Sequence, residues 1–182
     1  MSNIFFSSDH HFSHRNIIKY CERPFDTTTD MDIHMVEEWN KVVKPNDTVY
    51  YIGDFMMPRQ YHLADMFLDG LNGKKHLIVG NHDENRIQKK PQWESVNQIL
   101  ELKIGNPRKG GKWIVMCHYP MASWNGSFHG SIHLHGHTHG TYEAPPWPSG
   151  NPRLCLDVGV DTHDFRPWSL EEIEIYFSTL TQ

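Results

Sequence analysis

The sequence predicts an α/β fold built on two packed β-sheets. Its first half alternates short β-rich runs with helical patterns, which is typical of parallel strands joined by crossover helices. Its second half has β-rich runs separated by turns that contain glycine and proline, which indicates a second, more antiparallel sheet. A length of 182 residues is enough for one good core and short for two ordinary domains, so we treat residues 1–182 as a single domain.

The first half predicts three strands and two helices. The strand-forming runs are residues 4–6, 48–52 and 76–79. The first helix begins near Thr29 and Asp30, which can cap its first turn, and it stops before Pro45. The second helix covers residues 61–68. Because the carboxyl ends of parallel strands meet at one edge of a sheet, we expect a ligand site at that edge.

The second half predicts four further strands and a helix. The strand-forming runs are residues 99–104, 113–117, 131–135 and 154–160. Ser169 and Glu172 stand at the spacing of a capping box, which opens a short helix. Residues 143–152 contain four prolines and predict a stiff surface loop, because the chain after them is again strand-forming.

Composition bears on the partners and the compartment. The net charge of −5 gives no global basic field, so a nucleic-acid partner is not indicated, although bound cations or a basic rim could attract one locally. Three cysteines without paired spacing fit a reducing compartment. No apolar run approaches the ~20 residues that span a bilayer, and the first residues lack the features of a signal peptide. We therefore expect a cytoplasmic protein with no membrane partner.

The unusual feature of this composition is its high histidine content. There are 14 histidines, five of them between positions 129 and 139, and imidazole is the commonest metal ligand. Asp9 and His11 follow a strand at a spacing of two, which in extended geometry points both side chains to one side. His137 and His139 repeat that spacing. The metal ligands predicted after strands are Asp9, His11, Asp54, Asn81, His118, His137 and His139.

The order of these motifs resembles the calcineurin-like metallophosphoesterase superfamily. The motifs are Asp9-x-His11, Gly53-Asp54, Gly80-Asn81-His82-Asp83, His118 and Gly136-His137-Thr138-His139. The resemblance implies a four-layer α/β/β/α sandwich of two mixed sheets. It also implies one metal held by Asp9, His11, Asp54 and His139 and a second held by Asp54, Asn81, His118 and His137. Asp54 would bridge the two ions.

The residues after Asp54 help to indicate which branch of this superfamily the sequence resembles. Protein phosphatases of the superfamily continue with an Asp-Arg-Gly stretch, whereas this chain continues with residues 55–59, Phe-Met-Met-Pro-Arg, which argues against protein-phosphatase activity. The segments at residues 5–25, 71–78 and 118–120 look like a small bacterial and phage branch of predicted phosphoesterases.

The chemistry expected of this ligand set is phosphate-ester hydrolysis. Two divalent ions neutralise phosphate oxygens and lower the pKa of a shared water, so a metal-bridging hydroxide is the expected nucleophile. His82 would assist as a hydrogen-bond donor or general acid, and Asp83 would orient its imidazole. The predicted catalytic residues are therefore His82, Asp54 and Asp83. The mixture of nitrogen and oxygen ligands favours manganese, with iron, zinc, nickel or magnesium as alternatives.

The expected function is thus a phosphoric ester hydrolase, acting on phosphodiesters of small or nucleotide-type substrates. Two alternatives stay open, namely a nuclease or nucleic-acid end-processing enzyme with the same chemistry and a non-catalytic metal-binding scaffold. His10, His133 and His135 flank the motifs and are expected to support the site or face solvent. His14 and Arg15 could contact a phosphate or lie at a helix start. The basic pairs at residues 89–90 and 108–109 are expected in solvated loops.

Overall fold

A computed structural model describes residues 2–106 and 110–180 of the chain. The basic pair at residues 108–109 lies outside the described residues. The strands are β1 Ile4–Ser7, β2 Thr48–Tyr51, β3 Lys74–Ile78, β4 Trp93–Asn97, β5 Ile99–Ile104, β6 Lys112–Cys117, β7 Ile132–His135, β8 Cys155–Asp157 and β9 Trp168–Ser169. The α-helices are α1 Arg15–Tyr20, α2 Thr28–Val42, α3 Ala64–Gly70, α4 Asn85–Gln88 and α5 Leu170–Leu180.

The first sheet has the strand order β4-β3-β2-β1-β9. Its first four strands are parallel, and β9 pairs with β1 in antiparallel fashion. The prediction of parallel strands joined by helical crossovers is confirmed, because β1, β2 and β3 are neighbours and α2 and α3 lie between them in the chain. The carboxyl ends of β1, β2 and β3 consequently meet at one edge.

The second sheet has the order β5-β6-β7-β8 and is also mixed. β5 and β6 form an antiparallel pair, whereas β6, β7 and β8 run parallel. The expectation of a more antiparallel sheet is correct for only one of these three pairs. Long connections after β6 and β7 carry the chain back across the sheet, so the next strand enters from the same end. Both sheets therefore supply parallel carboxyl ends to the site.

Apolar residues on alternate faces of the strands build two cores. Phe5 of β1 packs with the helices α2 and α3, whereas its neighbour Phe6 packs between the sheets. Ile173 of α5 joins the core between the sheets. On the outer face of the second sheet, Val115 is covered by the buried side chains of Trp124 and Trp147, which belong to loops. This arrangement confirms an α/β fold with two mixed sheets.

Several boundaries differ from the sequence prediction. The first predicted helix is α2, and its cap is Thr27, whose hydroxyl accepts the backbone N–H of Asp30. The second begins as a 3₁₀ helix over Pro58–Leu63 before α3. The capping box at α5 is confirmed, since Ser169 and Glu172 exchange side-chain and backbone hydrogen bonds. In the part of the chain that the structure describes, no helix has the length and apolar character needed to cross a bilayer.

Candidate metal centre

The loops that follow five strands converge on one place. These are the loops after β1, β2 and β3 of the first sheet and after β6 and β7 of the second. The backbone N–H of His11 donates to the carbonyl of Asp54, and the backbone N–H of Gly136 donates to the carbonyl of His118, so the loops are joined directly. All seven predicted metal ligands lie on these loops, at Asp9, His11, Asp54, Asn81, His118, His137 and His139.

One half of the site is formed by Asp9, His11 and His139. Each offers a ligand atom, and the three atoms lie within 4.8 Å of one another. The distance from Asp9 Oδ1 to His11 Nε2 is 3.9 Å, and the rings of His11 and His139 are stacked with centroids 5.3 Å apart. Asp9 and His11 are buried.

The other half is formed by Asp54, His118 and His137, whose ligand atoms also lie within 4.8 Å of one another. Asn81 Oδ1 is 3.1 Å from His118 Nε2. The Nδ1–H of His118 donates to the Ile52 carbonyl at 2.8 Å, which leaves Nε2 directed at the other groups. His118 is thereby held in the tautomer that a metal ligand needs.

Asp54 stands between the two halves. Its Oδ2 atom lies 3.6 Å from His11 Nε2 and 3.4 Å from His118 Nε2. Its Oδ1 atom accepts the backbone N–H of His82 at 2.8 Å, which fixes the carboxylate. One oxygen therefore faces histidines from both halves, which is the arrangement of a bridging ligand.

The backbone conformation of these loops differs from the predicted one. Asp9 and His11 have φ angles of 59° and 49°, and His137 and His139 have φ angles of 70° and 48°. The prediction of extended geometry for both pairs is wrong, because all four residues are in the left-handed region that non-glycine residues rarely adopt. His137 and His139 consequently join different halves. Such conformations cost free energy and cluster at functional sites.

Two glycines let these loops approach one another. A Cβ atom at Gly80 would lie 2.4 Å from Asp54 Oδ1 and 2.5 Å from the Asp54 backbone nitrogen. A Cβ atom at Gly136 would lie 1.9 Å from Ser8 Oγ and 2.3 Å from Asp9 Oδ2. Side chains at either position would therefore displace a carboxylate of the site.

The buried polar atoms of the site fit a cation. Asp9 Oδ2 accepts hydrogen bonds from Ser8 Oγ at 2.6 Å and from the His137 backbone N–H at 2.9 Å. Its partner Oδ1 and both ring nitrogens of His11 are buried and have no hydrogen-bond partner among the described residues. Buried polar groups are normally satisfied, and carboxylate and imidazole atoms that converge without partners suit a metal ion.

Burial and the close approach of charged groups shift the pKa values of the titratable residues in this site. Burial raises the pKa of Asp9 to about 7, against the opposing effect of His118 and His139. Burial also opposes ionisation of Asp54, but the hydrogen bond and charge of His118 outweigh it and lower the pKa of Asp54 to about 2. The pKa of His118 is about 9 because Asp54 and Asp9 overcome its burial. Protons on histidine thus balance the buried carboxylates, and a bound cation would replace those protons.

Two further residues of the site, Asp161 and Arg23, were not among the predicted site residues. Asp161 Oδ2 accepts from His139 Nδ1 at 2.7 Å, which orients that imidazole toward Asp9. Arg23 pairs with Asp161 through two hydrogen bonds of 2.7 and 2.9 Å and also donates to the carbonyl oxygens of Asp9 and His10. A signal for Asp161 existed, because it directly follows the strand-forming run 154–160. No local signal marks Arg23.

Asp83 has a different role from the predicted one. Its two carboxylate oxygens accept the backbone N–H groups of Asp54, Phe55 and Gly80 at 2.8 to 3.0 Å. Asp83 therefore ties the loop after β2 to the loop after β3 and does not orient the His82 imidazole. The loop of His82 is held instead by Tyr61, whose hydroxyl donates to the His82 carbonyl.

The three histidines that flank the motifs are buried and form hydrogen bonds. His10 Nδ1 is 2.9 Å from the Tyr51 hydroxyl, and His135 Nδ1 is 2.8 Å from the Gly136 carbonyl. His133 bonds to the Val115 carbonyl at 3.0 Å. All three histidines are buried, so the expected alternative of solvent exposure is excluded. Their supporting role stays a prediction.

An open cleft of about 700 Å³ lies over the two halves. Its wall includes His82, whose side chain is 35% exposed and whose Nε2 atom lies 3.9 Å from Asp54 Oδ2. Asn81 and His137 are the exposed members of the ligand set. The cleft therefore opens both halves of the site to solvent.

Comparison with known proteins places the chain in a family. No family model matches it. The uncharacterized protein MJ1445 of Methanocaldococcus jannaschii is 33% identical over 175 residues, which cover 95% of this chain and 90% of the relative. The chain belongs to the MJ1445 family. This MJ1445-family protein is also 28% identical to the Gene 66 protein of Mycobacterium phage D29, over 92% of each chain.

A solved structure shares the architecture of this MJ1445-family protein. The crystal structure of AQ665, a protein of unknown function from Aquifex aeolicus, has a TM-score of 0.74 and 26% identity. The similarity covers 97% of this chain and 100% of that chain. The fold of two mixed sheets therefore recurs, over nearly its full length, in an experimentally solved protein.

Proposed function

We propose that this protein is a metal-dependent phosphoesterase of the calcineurin-like superfamily that hydrolyses phosphodiesters of small or nucleotide-type substrates. One observation carries the proposal. A single carboxylate oxygen, Asp54 Oδ2, lies within 3.4 to 3.6 Å of histidines from two ligand clusters. Two clusters that share one carboxylate are the arrangement expected of a pair of cations acting on one substrate group.

The fold supports the proposal. We propose that the two mixed sheets belong to the four-layer α/β/β/α sandwich of that superfamily. The helices α2 and α3 would form one outer layer. On the other side, Trp124 and Trp147 on loops cover Val115 of the second sheet, where the second outer layer would lie.

The seven ligand residues would hold the two ions. Asp9, His11, Asp54 and His139 would hold one, and Asp54, Asn81, His118 and His137 the other, with manganese as the first candidate. Bound there, divalent ions would neutralise phosphate oxygens and lower the pKa of a water molecule. With only two carboxylates among seven ligands, about two positive charges remain to attract an anionic ester.

We propose that His82 assists at the reacting phosphate. Its backbone N–H is fixed by Asp54, its carbonyl is fixed by Tyr61, and its imidazole projects into the open cleft. An imidazole in that position can donate a hydrogen bond to the developing negative charge or protonate the departing oxygen. His82 is dispensable for both proposed ligand sets.

The test is hydrolysis by protein loaded with manganese, nickel, zinc, iron or magnesium, assayed on chromogenic phosphate mono- and diesters. We expect diester hydrolysis that requires metal. The variant His82→Ala should keep its metal content and lose about 100-fold in kcat, the usual scale for removal of a general acid. His62→Ala, which removes an exposed histidine of the 3₁₀ helix, is the matched control and should keep full activity.

One result would refute the proposed function, and another would refute only the role of His82. Absence of hydrolysis at stoichiometric metal loading, across the whole substrate panel, would favour a non-catalytic metal-binding scaffold. Unchanged turnover in His82→Ala would remove the proposed role of that imidazole.

A further inference from the structure

A second cavity adjoins the cleft of the candidate metal centre and is basic. It has a volume of about 470 Å³, and its lining includes Arg15 and Arg59. Both cavities are lined by His14, Asn16 and Met57, so these three residues form the boundary between them. A molecule bound at the metal centre can therefore extend directly into the basic cavity.

The two arginines of this cavity are free of carboxylate partners. Both side chains are exposed, and no ion pair of either is found among the described residues. The lining of the basic cavity contains no aspartate or glutamate. Asp32, which binds Ser13 through three hydrogen bonds, lines a different groove. Two unpaired guanidinium groups in one concavity favour an anion, because arginine binds phosphate oxygens with paired N–H donors.

His14 supplies an independent observation at the boundary. Its ring lies 5.5 Å from the ring of His11, centroid to centroid, so it stands beside the metal ligands. Its Nδ1 atom is buried and has no hydrogen-bond partner among the described residues. A buried nitrogen without a partner, at the junction of the two cavities, is available to a ligand that spans them.

We propose that the basic cavity binds a second phosphate group of the substrate, one ester unit away from the phosphate at the metal centre. Arg15 and Arg59 hold this second phosphate, and His14 contacts the portion that connects the two. The inference rests on the proposed function and narrows it to nucleotide-type esters that carry at least two phosphates. Because the protein has a net charge of −5, it needs such a local pair of cations to attract a polyanionic substrate.

Kinetics on matched substrates test the proposal. Thymidylyl-thymidine carries one phosphodiester, its 5′-phosphorylated form adds a terminal phosphate, and the thymidine trinucleotide adds an internal phosphodiester. We expect the metal-loaded protein to prefer one of the two longer substrates by about tenfold or more in kcat/KM, the scale of a charge-assisted contact. The favoured substrate identifies the source of the second phosphate, terminal or internal.

Variants that remove the arginine charges test whether this substrate preference arises in the basic cavity. Arg15→Gln and Arg59→Gln should each reduce the preference for the substrate with a second phosphate, and the double variant should abolish it. Lys19→Gln, which removes an exposed charge of α1 outside both cavities, is the control and should retain the preference. Equal kcat/KM for all three substrates, with thymidylyl-thymidine hydrolysed, would overturn this inference and leave the proposed function standing.

A binding measurement separates the two claims when hydrolysis is absent. Thymidine 3′,5′-bisphosphate and thymidine 3′-phosphate each offer one phosphate to the metal centre, and only the bisphosphate offers another. By calorimetric titration of the metal-loaded protein, we expect the bisphosphate to bind about tenfold more tightly, with the difference lost in the double arginine variant. Equal affinities in the unaltered protein would refute the second phosphate subsite independently of any activity.

Discussion

The Nδ1 atom of His139 donates a hydrogen bond to Asp161, which Arg23 in turn holds in place. Burial alone would lower the pKa of His139, but the hydrogen bonds with Asp161 and Cys21 raise it to about 10. The carboxylate of Asp161 thus fixes the ring and increases its basicity. Such supporting carboxylates affect metal affinity without contacting the ion.

Asp161→Asn should therefore weaken metal binding. An amide oxygen accepts from His139 less strongly, and the variant also breaks the charged pair with Arg23, so we expect a loss of about 10- to 100-fold in metal affinity. Manganese titration by calorimetry measures it. Asp164→Asn removes an exposed carboxylate three residues away and should leave the affinity unchanged. Equal affinity in both variants would contradict a role for Asp161.

At the residue scale, the sequence predicted which side chains gather and missed what holds them. Asp9, Asp54 and the paired histidines could be predicted because each ends a strand-forming run. Arg23 could not, because its partner Asp161 is 138 positions away and only the folded chain brings them together. The predicted role of Asp83 was wrong for a related reason. Its neighbour in sequence is His82, but its hydrogen bonds go to the backbone of another loop.

At the element scale, the site depends on how closely the strand-end loops pack. Gly80 brings the loop after β3 against Asp54, and Gly136 brings the loop after β7 against Asp9 and Ser8. These contacts fix the spacing between carboxylates on different loops. The geometry of the candidate metal centre therefore depends on loop packing as much as on the identity of its side chains.

Gly80→Ala should disrupt the site by moving Asp54. The added methyl group would meet Asp54 Oδ1 at 2.4 Å, so the loop or the carboxylate must shift, at a cost of about 1–3 kcal/mol in stability. Manganese affinity should fall with it. Gly70→Ala is the control, since a Cβ atom at that position meets no atom within 4 Å. Unfolding free energies and metal titrations that are equal for the two variants would contradict the importance of this close approach.

The elements themselves were predicted unevenly. The runs that became β1, β2, β3, β5, β6, β7 and β8 are rich in β-forming residues and were predicted, whereas β4 was missed. The helices α1 and α4 have six and four residues, and β9 has two, so each is too short to establish a periodic pattern. The pairing within the second sheet was also missed, because strand direction depends on where a connection crosses and not on the strand sequence.

For the whole molecule, buried neutral histidines make stability sensitive to acid. Burial lowers the pKa of His133 to about 4, although the hydrogen bond to the Val115 carbonyl opposes the shift. The unfolded chain, with an ordinary histidine pKa of about 6.5, binds this proton more readily than the folded protein does. Stability from this site is therefore complete above about pH 6.5 and falls as the pH drops toward 4, by up to about 1.4 kcal/mol per pH unit.

His133→Gln should flatten this dependence. Glutamine can still bond to the neighbouring backbone, but it does not titrate, so the variant should lose less stability between pH 7 and pH 5 than the unaltered protein does. Urea unfolding at the two pH values measures the difference. His62→Gln, at an exposed position, should leave the pH dependence as it was. An identical pH dependence for His133→Gln would contradict the buried neutral state of His133.

The pair of cations at the strand ends is the claim on which the functional account rests, and metal content tests it most directly. Protein loaded with manganese, freed of excess metal and analysed by plasma mass spectrometry should contain two ions per chain. Asp54→Asn, which weakens the shared ligand, should contain fewer than one. Protein that retains no stoichiometric metal after loading with manganese, iron, zinc, nickel or magnesium would contradict the account.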